Sequence, residues 1–217
     1  MRRLPVYLIL DTSWSMRGEP IEAVKNGIQS LVMSLRQNPF ALETVCLSII
    51  TFDNDARQIV PLTELYNFQM PHIKASGKSA LGSALLLLAN KLEEEAIKST
   101  TEAKGDWKPL VFIMIDGGHT GGWKKSLAEL KKKRIGMIVS CAMGENVHID
   151  VLKQISENVV YINGSDSYNI EVFFKWVSDS VNAASQKIDN SNVEIATIKG
   201  LPKLPSEIKL ISELESR

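Results

Sequence analysis

The feature that most constrains this 217-residue chain is an alternation of short, continuously apolar runs with segments of helical periodicity. VYLIL (6–10), VCLSIITF (45–52), LVFIMID (110–116), IGMIVSCAM (135–143) and VVYI (159–162) are too short for helices and rich in β-branched residues, so they read as buried strands. Between them apolar residues recur at three- and four-residue spacing. Ile21, Val24, Ile28, Leu31, Val32 and Leu35 form one such stripe behind Pro20, which suits a first helical turn. Leu85, Leu88 and Leu92 form another. Trp123, Leu127 and Leu130, a short segment at 149–155, and Ile170, Phe173, Val177 and Val181 complete the series. The run RQIVPL contains a proline, which favours a sheet edge because proline has no N–H for the ladder. Strands that alternate with helices predict an α/β domain, with a mostly parallel sheet covered on both faces. Such sheets carry their sites at the carboxyl ends of the strands. Asp11 and Asp116 fall at those ends.

The length suits one domain with a modest appendage. The periodic pattern fades after Ser185, so residues 1–185 are expected to form the domain and residues 186–217 a tail or partner-binding appendage. Apolar residues are 44% and charged residues 23%, a globular mixture. Lysine plus arginine and aspartate plus glutamate are both 25, so net charge is zero, which argues against a broad nucleic-acid or anionic-membrane surface. Cys46 and Cys141 sit in apolar runs and read as small core residues rather than a disulfide framework. Arg2 and Arg3 precede an apolar run that Asp11 ends too early for a signal peptide, and no run reaches the length of a membrane span. The expectation is a soluble, cytoplasmic protein.

Three places carry chemistry. Asp11, Ser13 and Ser15 form a D-x-S-x-S pattern in the loop after the first strand. A carboxylate and two hydroxyls at alternate positions of a tight loop can aim three hard oxygens at one point, which suits Mg²⁺, Mn²⁺ or Ca²⁺ rather than zinc or copper. Ser79, in SGKSALGSAL, opens a helix and offers a fourth oxygen. Asp116 ends the most apolar strand, where a bound cation would offset its desolvation. Taken singly, each also reads as a turn or cap residue; their order along the chain and their placement beside strands and helices give the specificity. His119 lies near Asp116 and is either a rim residue or a plain loop residue. The basic group from Lys124 to Arg134 fits the solvated face of a helix.

In these segments the chain resembles the von Willebrand factor A (vWA) domains. LILDTSWSM matches the first loop of their metal-ion-dependent adhesion site, GKSALGSAL the second segment and FIMIDG the third. More narrowly, RRLPVYLILDTSWSMRGEPI and SIITFD resemble the TerY-like proteins of bacterial tellurium-resistance and stress-response clusters. The resemblance implies a Rossmann-like sheet of order 3-2-1-4-5-6 with one antiparallel edge strand. It implies that Asp11, Ser13, Ser15, Ser79 and Asp116 hold a divalent cation, most readily Mg²⁺, and that a partner protein supplies an acidic residue to that ion. Kinase-like and metal-dependent phosphatase-like proteins are the implied partners. The chain departs from the family in three places. Ser79 stands where threonine is usual and keeps the hydroxyl. Trp14 stands where glycine is usual, and either anchors a partner or folds back on the domain. Gly121 and Gly122 stand where another acid is frequent.

Other classes fit less well. GKS at 77–79 matches the end of a P-loop, but His72 occupies the position of the required first glycine and no buried strand precedes the loop. A phosphotransferase with Asp11 as nucleophile needs a second acid where Ser13 stands. A metal-independent vWA scaffold leaves the oxygen set without a purpose. The expectation is therefore a non-enzymatic, metal-dependent protein-interaction module.

Overall fold

Strand β1 (Leu4–Asp11) is buried along its whole length, as an alternating division of its side chains between two cores requires. Leu4, Val6, Leu8 and Leu10 point into one core, Tyr7 and Ile9 into the other. In the computed structural model, which describes residues 2–118, 122–144, 147–191 and 198–214, β1 is the central strand of a seven-stranded sheet. It pairs in parallel with β2 (Val45–Phe52) on one side and β4 (Leu110–Asp116) on the other. Strands β5 (Met137–Met143) and β6 (Asn158–Ile162) extend the parallel set beyond β4. At one edge β3 (Ala56–Glu64) pairs antiparallel with β2, and its register shifts twice, with Pro61 inside the first shift.

Helices cover both faces. On one lie α1 (Glu19–Gln37), α2 (Pro39–Thr44) and α6 (Ser167–Ser191); on the other α3 (Leu81–Glu95), α4 (Trp123–Leu130) and α5 (Ile149–Ile155). The helical stripes read from sequence are buried: Ile28, Leu35, Leu85, Leu88, Phe173 and Val177 have at most 1% of their surface exposed. α1 and α6 approach so closely that a Cβ at Gly27 would collide with the ring of Phe174.

The order β3-β2-β1-β4-β5-β6 is that expected for the vWA fold. The difference is a second antiparallel edge: β7 (Ile208–Leu210) pairs with β6, and a single turn of helix, α7 (Ile211–Leu214), follows it. The stretch beyond Ser185 thus contributes the end of α6 and this edge strand. Trp176 Nε1 of α6 donates to Pro202 O at 3.1 Å, and Ile208 and Ile211 are buried. Both cysteines are buried and free. Among the described residues no helix is long and apolar enough to cross a membrane.

Candidate metal centre

The parallel strands β1 and β4 are neighbours and end side by side, which brings Asp11 and Asp116 to one end of the sheet. Beyond β1 the chain turns through a 3₁₀ turn at Trp14–Met16 before α1 begins. Ser13 N donates to Asp11 Oδ1 at 2.8 Å, closing the loop on its own carboxylate. The Ser13 and Ser15 hydroxyls lie 3.2 Å apart, and Ser15 Oγ donates to the Asp116 backbone carbonyl at 3.1 Å. Ser79 comes from the connection before α3, and its Oγ donates to Asp11 Oδ2 at 2.9 Å across 68 residues of sequence. Asp11, Ser13, Ser15, Ser79 and Asp116 are therefore brought together at one rim. His119 lies outside the described residues.

Further residues that sequence reading did not single out brace this arrangement. Thr12 N and its hydroxyl both donate to Phe52 O, at 2.9 and 3.1 Å, tying the loop to β2. The segment carrying Ser79 is held by the turn after β2. Ser76 Oγ donates to Asp53 Oδ2 at 2.9 Å, Ala80 N to Asp53 O at 2.8 Å and Lys78 N to Asn54 Oδ1 at 3.0 Å. Gly77 adopts φ +69°, and a Cβ there would lie 2.6 Å from the Asn54 amide, so only glycine fits against this turn. Behind Asp116, a Cβ on Gly144 would come within 3.4 Å of Oδ1. The signal available in sequence was the turn Asp53-Asn54-Asp55; nothing local linked it to Ser76 or Ser79.

Trp14 lies on the outside of the loop with 57% of its surface exposed. Its backbone N–H donates to Gly77 O at 3.0 Å, and the Arg17 guanidinium stacks over its ring, 3.2 Å from the centroid.

The electrostatics fit a cation. Asp11 is 1% exposed and Asp116 9%. Among the described residues neither carboxylate has an ion-pair partner. Burial pushes the Asp11 carboxyl up to about 6, against the hydrogen bonds from Ser13 and Ser79 that pull it down; the Asp116 charge adds to the rise. Burial also raises Asp116. Two desolvated acids beside three hydroxyls leave a deficit of positive charge that a divalent ion would fill. Among the described residues no three His, Cys, Asp or Glu side chains gather, so the donors here are two carboxylates and hydroxyls. That is a hard-oxygen set.

The same contacts leave little room for a phosphate cradle at 77–79. The amides of Ser76, Lys78 and Ala80 already donate to Thr12 O, Asn54 Oδ1 and Asp53 O, whereas a P-loop turns its amides toward the ligand. No strand leads into the segment either, since β3 ends at Glu64.

Known proteins share this framework. An uncharacterized protein of Synechocystis sp. is 29% identical over 128 residues, which are 56% of this chain and 27% of that protein. Among solved structures, a von Willebrand factor type A protein from Catenulispora acidiphila superposes with a TM-score of 0.64 at 16% identity, over 84% of this chain and 43% of that one. Proximal thread matrix protein 1 of the mussel byssus, solved with zinc in its MIDAS motif, superposes with a TM-score of 0.58 at 18% identity, over 85% of this chain and 46% of that one. The chain spans about a quarter of its curated relative and under half of these two structures. The model of the von Willebrand factor type A domain matches residues 6–176, most of the sheet and both helical layers, and the chain belongs to that family.

Proposed function

We propose that this chain is a metal-dependent protein-interaction module, with Asp11, Ser13, Ser15, Ser79 and Asp116 as its metal-ion-dependent adhesion site. The observation that supports this most directly is the convergence of two buried carboxylates, neither with an ion-pair partner among the described residues, with three hydroxyls at the end of β1 and β4. The hard-oxygen donors favour Mg²⁺, with Mn²⁺ and Ca²⁺ as alternatives. The zinc found in the mussel protein's motif makes Zn²⁺ a necessary comparison. When bound, the ion supplies a coordination position for an Asp or Glu of the partner. The chain's own residues do the rest: Asp11 supplies the charge, Ser13 N and Ser79 Oγ hold its two oxygens in place, and Ser15 ties the first loop to the end of β4.

The role proposed for these groups is non-enzymatic, because a cation site that bridges two proteins asks only for oxygen donors and charge. The TerY-like resemblance of the first and second strands favours a place in a bacterial tellurium-resistance or stress-response system, with kinase-like and phosphatase-like partners. Isothermal titration with Mg²⁺, Mn²⁺, Ca²⁺ and Zn²⁺ tests the metal. The wild type is expected to bind and Asp11→Ala to lose binding at least tenfold; equal binding by both would refute the site. A pull-down of the partner with and without EDTA tests the bridge, and retention indifferent to chelation would leave a metal-independent scaffold.

A further inference from the structure

The rim beside the metal centre carries a feature that a metal does not account for. Trp14, whose side chain offers no oxygen, holds its ring out in solvent. The Arg17 guanidinium lies over that ring, and Arg17 Nε donates to Ala75 O at 3.3 Å. Ring and carbonyl together fix a guanidinium that would otherwise sample many rotamers, and its terminal nitrogens remain for another acceptor. Arg17 has no carboxylate partner among the described residues; nor do Lys74 and Lys78, exposed on the adjoining connection. Elsewhere Lys25, Lys91, Lys98, Lys132, Lys133 and Lys175 have acidic neighbours, whereas exposed lysines such as Lys124, Lys125 and Lys131 have none among the described residues; what sets Arg17 apart is that a ring and a carbonyl hold it beside the acidic site. Unpaired cations on one side of an acidic, buried site form a pattern complementary to negative charge.

We propose that Arg17, held by Trp14, is a specificity anchor for a partner segment with two carboxylates, one for the metal and a second, one to four residues away, for the guanidinium. Lys74 and Lys78 flank that segment and speed its encounter. Trp14 gives the intervening aliphatic carbons an apolar surface, which a glycine at this position would lack. The partner is thus an acidic peptide segment rather than any exposed single acid. This inference rests on the metal-bridged reading of the site, and the test separates the two.

Capped octapeptides of Gly and Ser with one Glu are compared with versions that carry Glu, Gln or Lys one to four residues further on. Each is titrated into the ¹⁵N-labelled full chain with saturating Mg²⁺ and again in EDTA. At one or more spacings the second Glu is expected to raise affinity about tenfold over Gln. Arg17→Glu is expected to invert the order, so that the Lys peptide binds best; such a gain also shows that the variant is folded. Equal affinities of the Glu and Gln peptides at every spacing, or a Glu preference kept by Arg17→Glu, overturn the proposal while the metal bridge stands. Binding unaffected by EDTA, or no binding of any peptide, overturns the metal-bridged reading itself.

Discussion

Asp11 is held in a state that suits a metal and not an empty site. Its folded carboxyl titrates at about 6 against a reference of 3.8, because burial disfavours its charge. Between those values the metal-free native chain keeps a proton that the unfolded chain has released, so stability falls as pH rises from about 4 to 6 and is level above. The cost at neutral pH is about 3 kcal/mol. Asp11→Asn removes it: the amide oxygen can still accept from Ser13 N, and the amide nitrogen can donate to Ser79 Oγ. In EDTA at pH 7.5 this variant is expected to be more stable than the wild type by about 2 kcal/mol in urea denaturation, while losing metal affinity. The same carboxyl must be ionised to bind, so wild-type Mg²⁺ affinity is expected to drop about tenfold from pH 7 to pH 5, as calorimetry at the two pH values would measure. The five positions proposed as the site could be singled out from sequence, since their spacing and their placement after strands are local properties, and the fold brings them to one rim. Asp53, Asn54, Ser76 and Arg17 were not. Their roles exist only once the 53–55 turn, the 12–17 loop and the 75–80 segment lie against one another.

Among the elements, α1 and α6 pack closely at Gly27. Gly27 is buried in the middle of α1, where alanine would be the better helix former by about 1 kcal/mol. A Cβ there would press on Cβ, Cγ and Cδ2 of Phe174, a core ring that cannot swing aside. Overpacking of this kind costs about 1–3 kcal/mol and a contact this short lies at the upper end, so Gly27→Ala is expected to lower stability by about 2 kcal/mol net. Thermal unfolding would show it, and an unchanged midpoint would mean that the two helices separate freely. Legibility at this scale followed length and pattern. β4 and α5 match their sequence reading at both ends because an unbroken apolar run and a sharp periodic segment define them. α2 has six residues, too few to show a period, although Asn38 caps it and Pro39 opens it. β7 has three residues, too few for alternation to register.

For the whole molecule, the sheet has antiparallel strands at both edges, and the second edge is the short strand Ile208–Leu210. Residues 186–217, read from sequence as a tail, include Leu201, Ile208 and Ile211, which are at most 8% exposed. Removing residues 198–217 would uncover those contacts, free the Trp176 indole N–H and leave β6 as an open edge. The truncated protein is expected to lose about 2–4 kcal/mol of stability and to self-associate, as denaturation and light scattering would measure. The oxygen donors, by contrast, come from segments far apart in the sequence: Ser79 reaches Asp11 across 68 residues, and Ser15 reaches the end of β4 across 101. A disordered chain holds nothing resembling this arrangement, so a cation distinguishes sharply between folded and unfolded molecules. Ion concentration then acts as a thermodynamic lever on folding: at one hundred times the dissociation constant the native state gains about 2.7 kcal/mol. The melting temperature is expected to climb with the logarithm of added Mg²⁺ in the wild type and to stay flat in Asp11→Asn, so that the cell's free divalent ion would set how much of this protein stands ready for a partner.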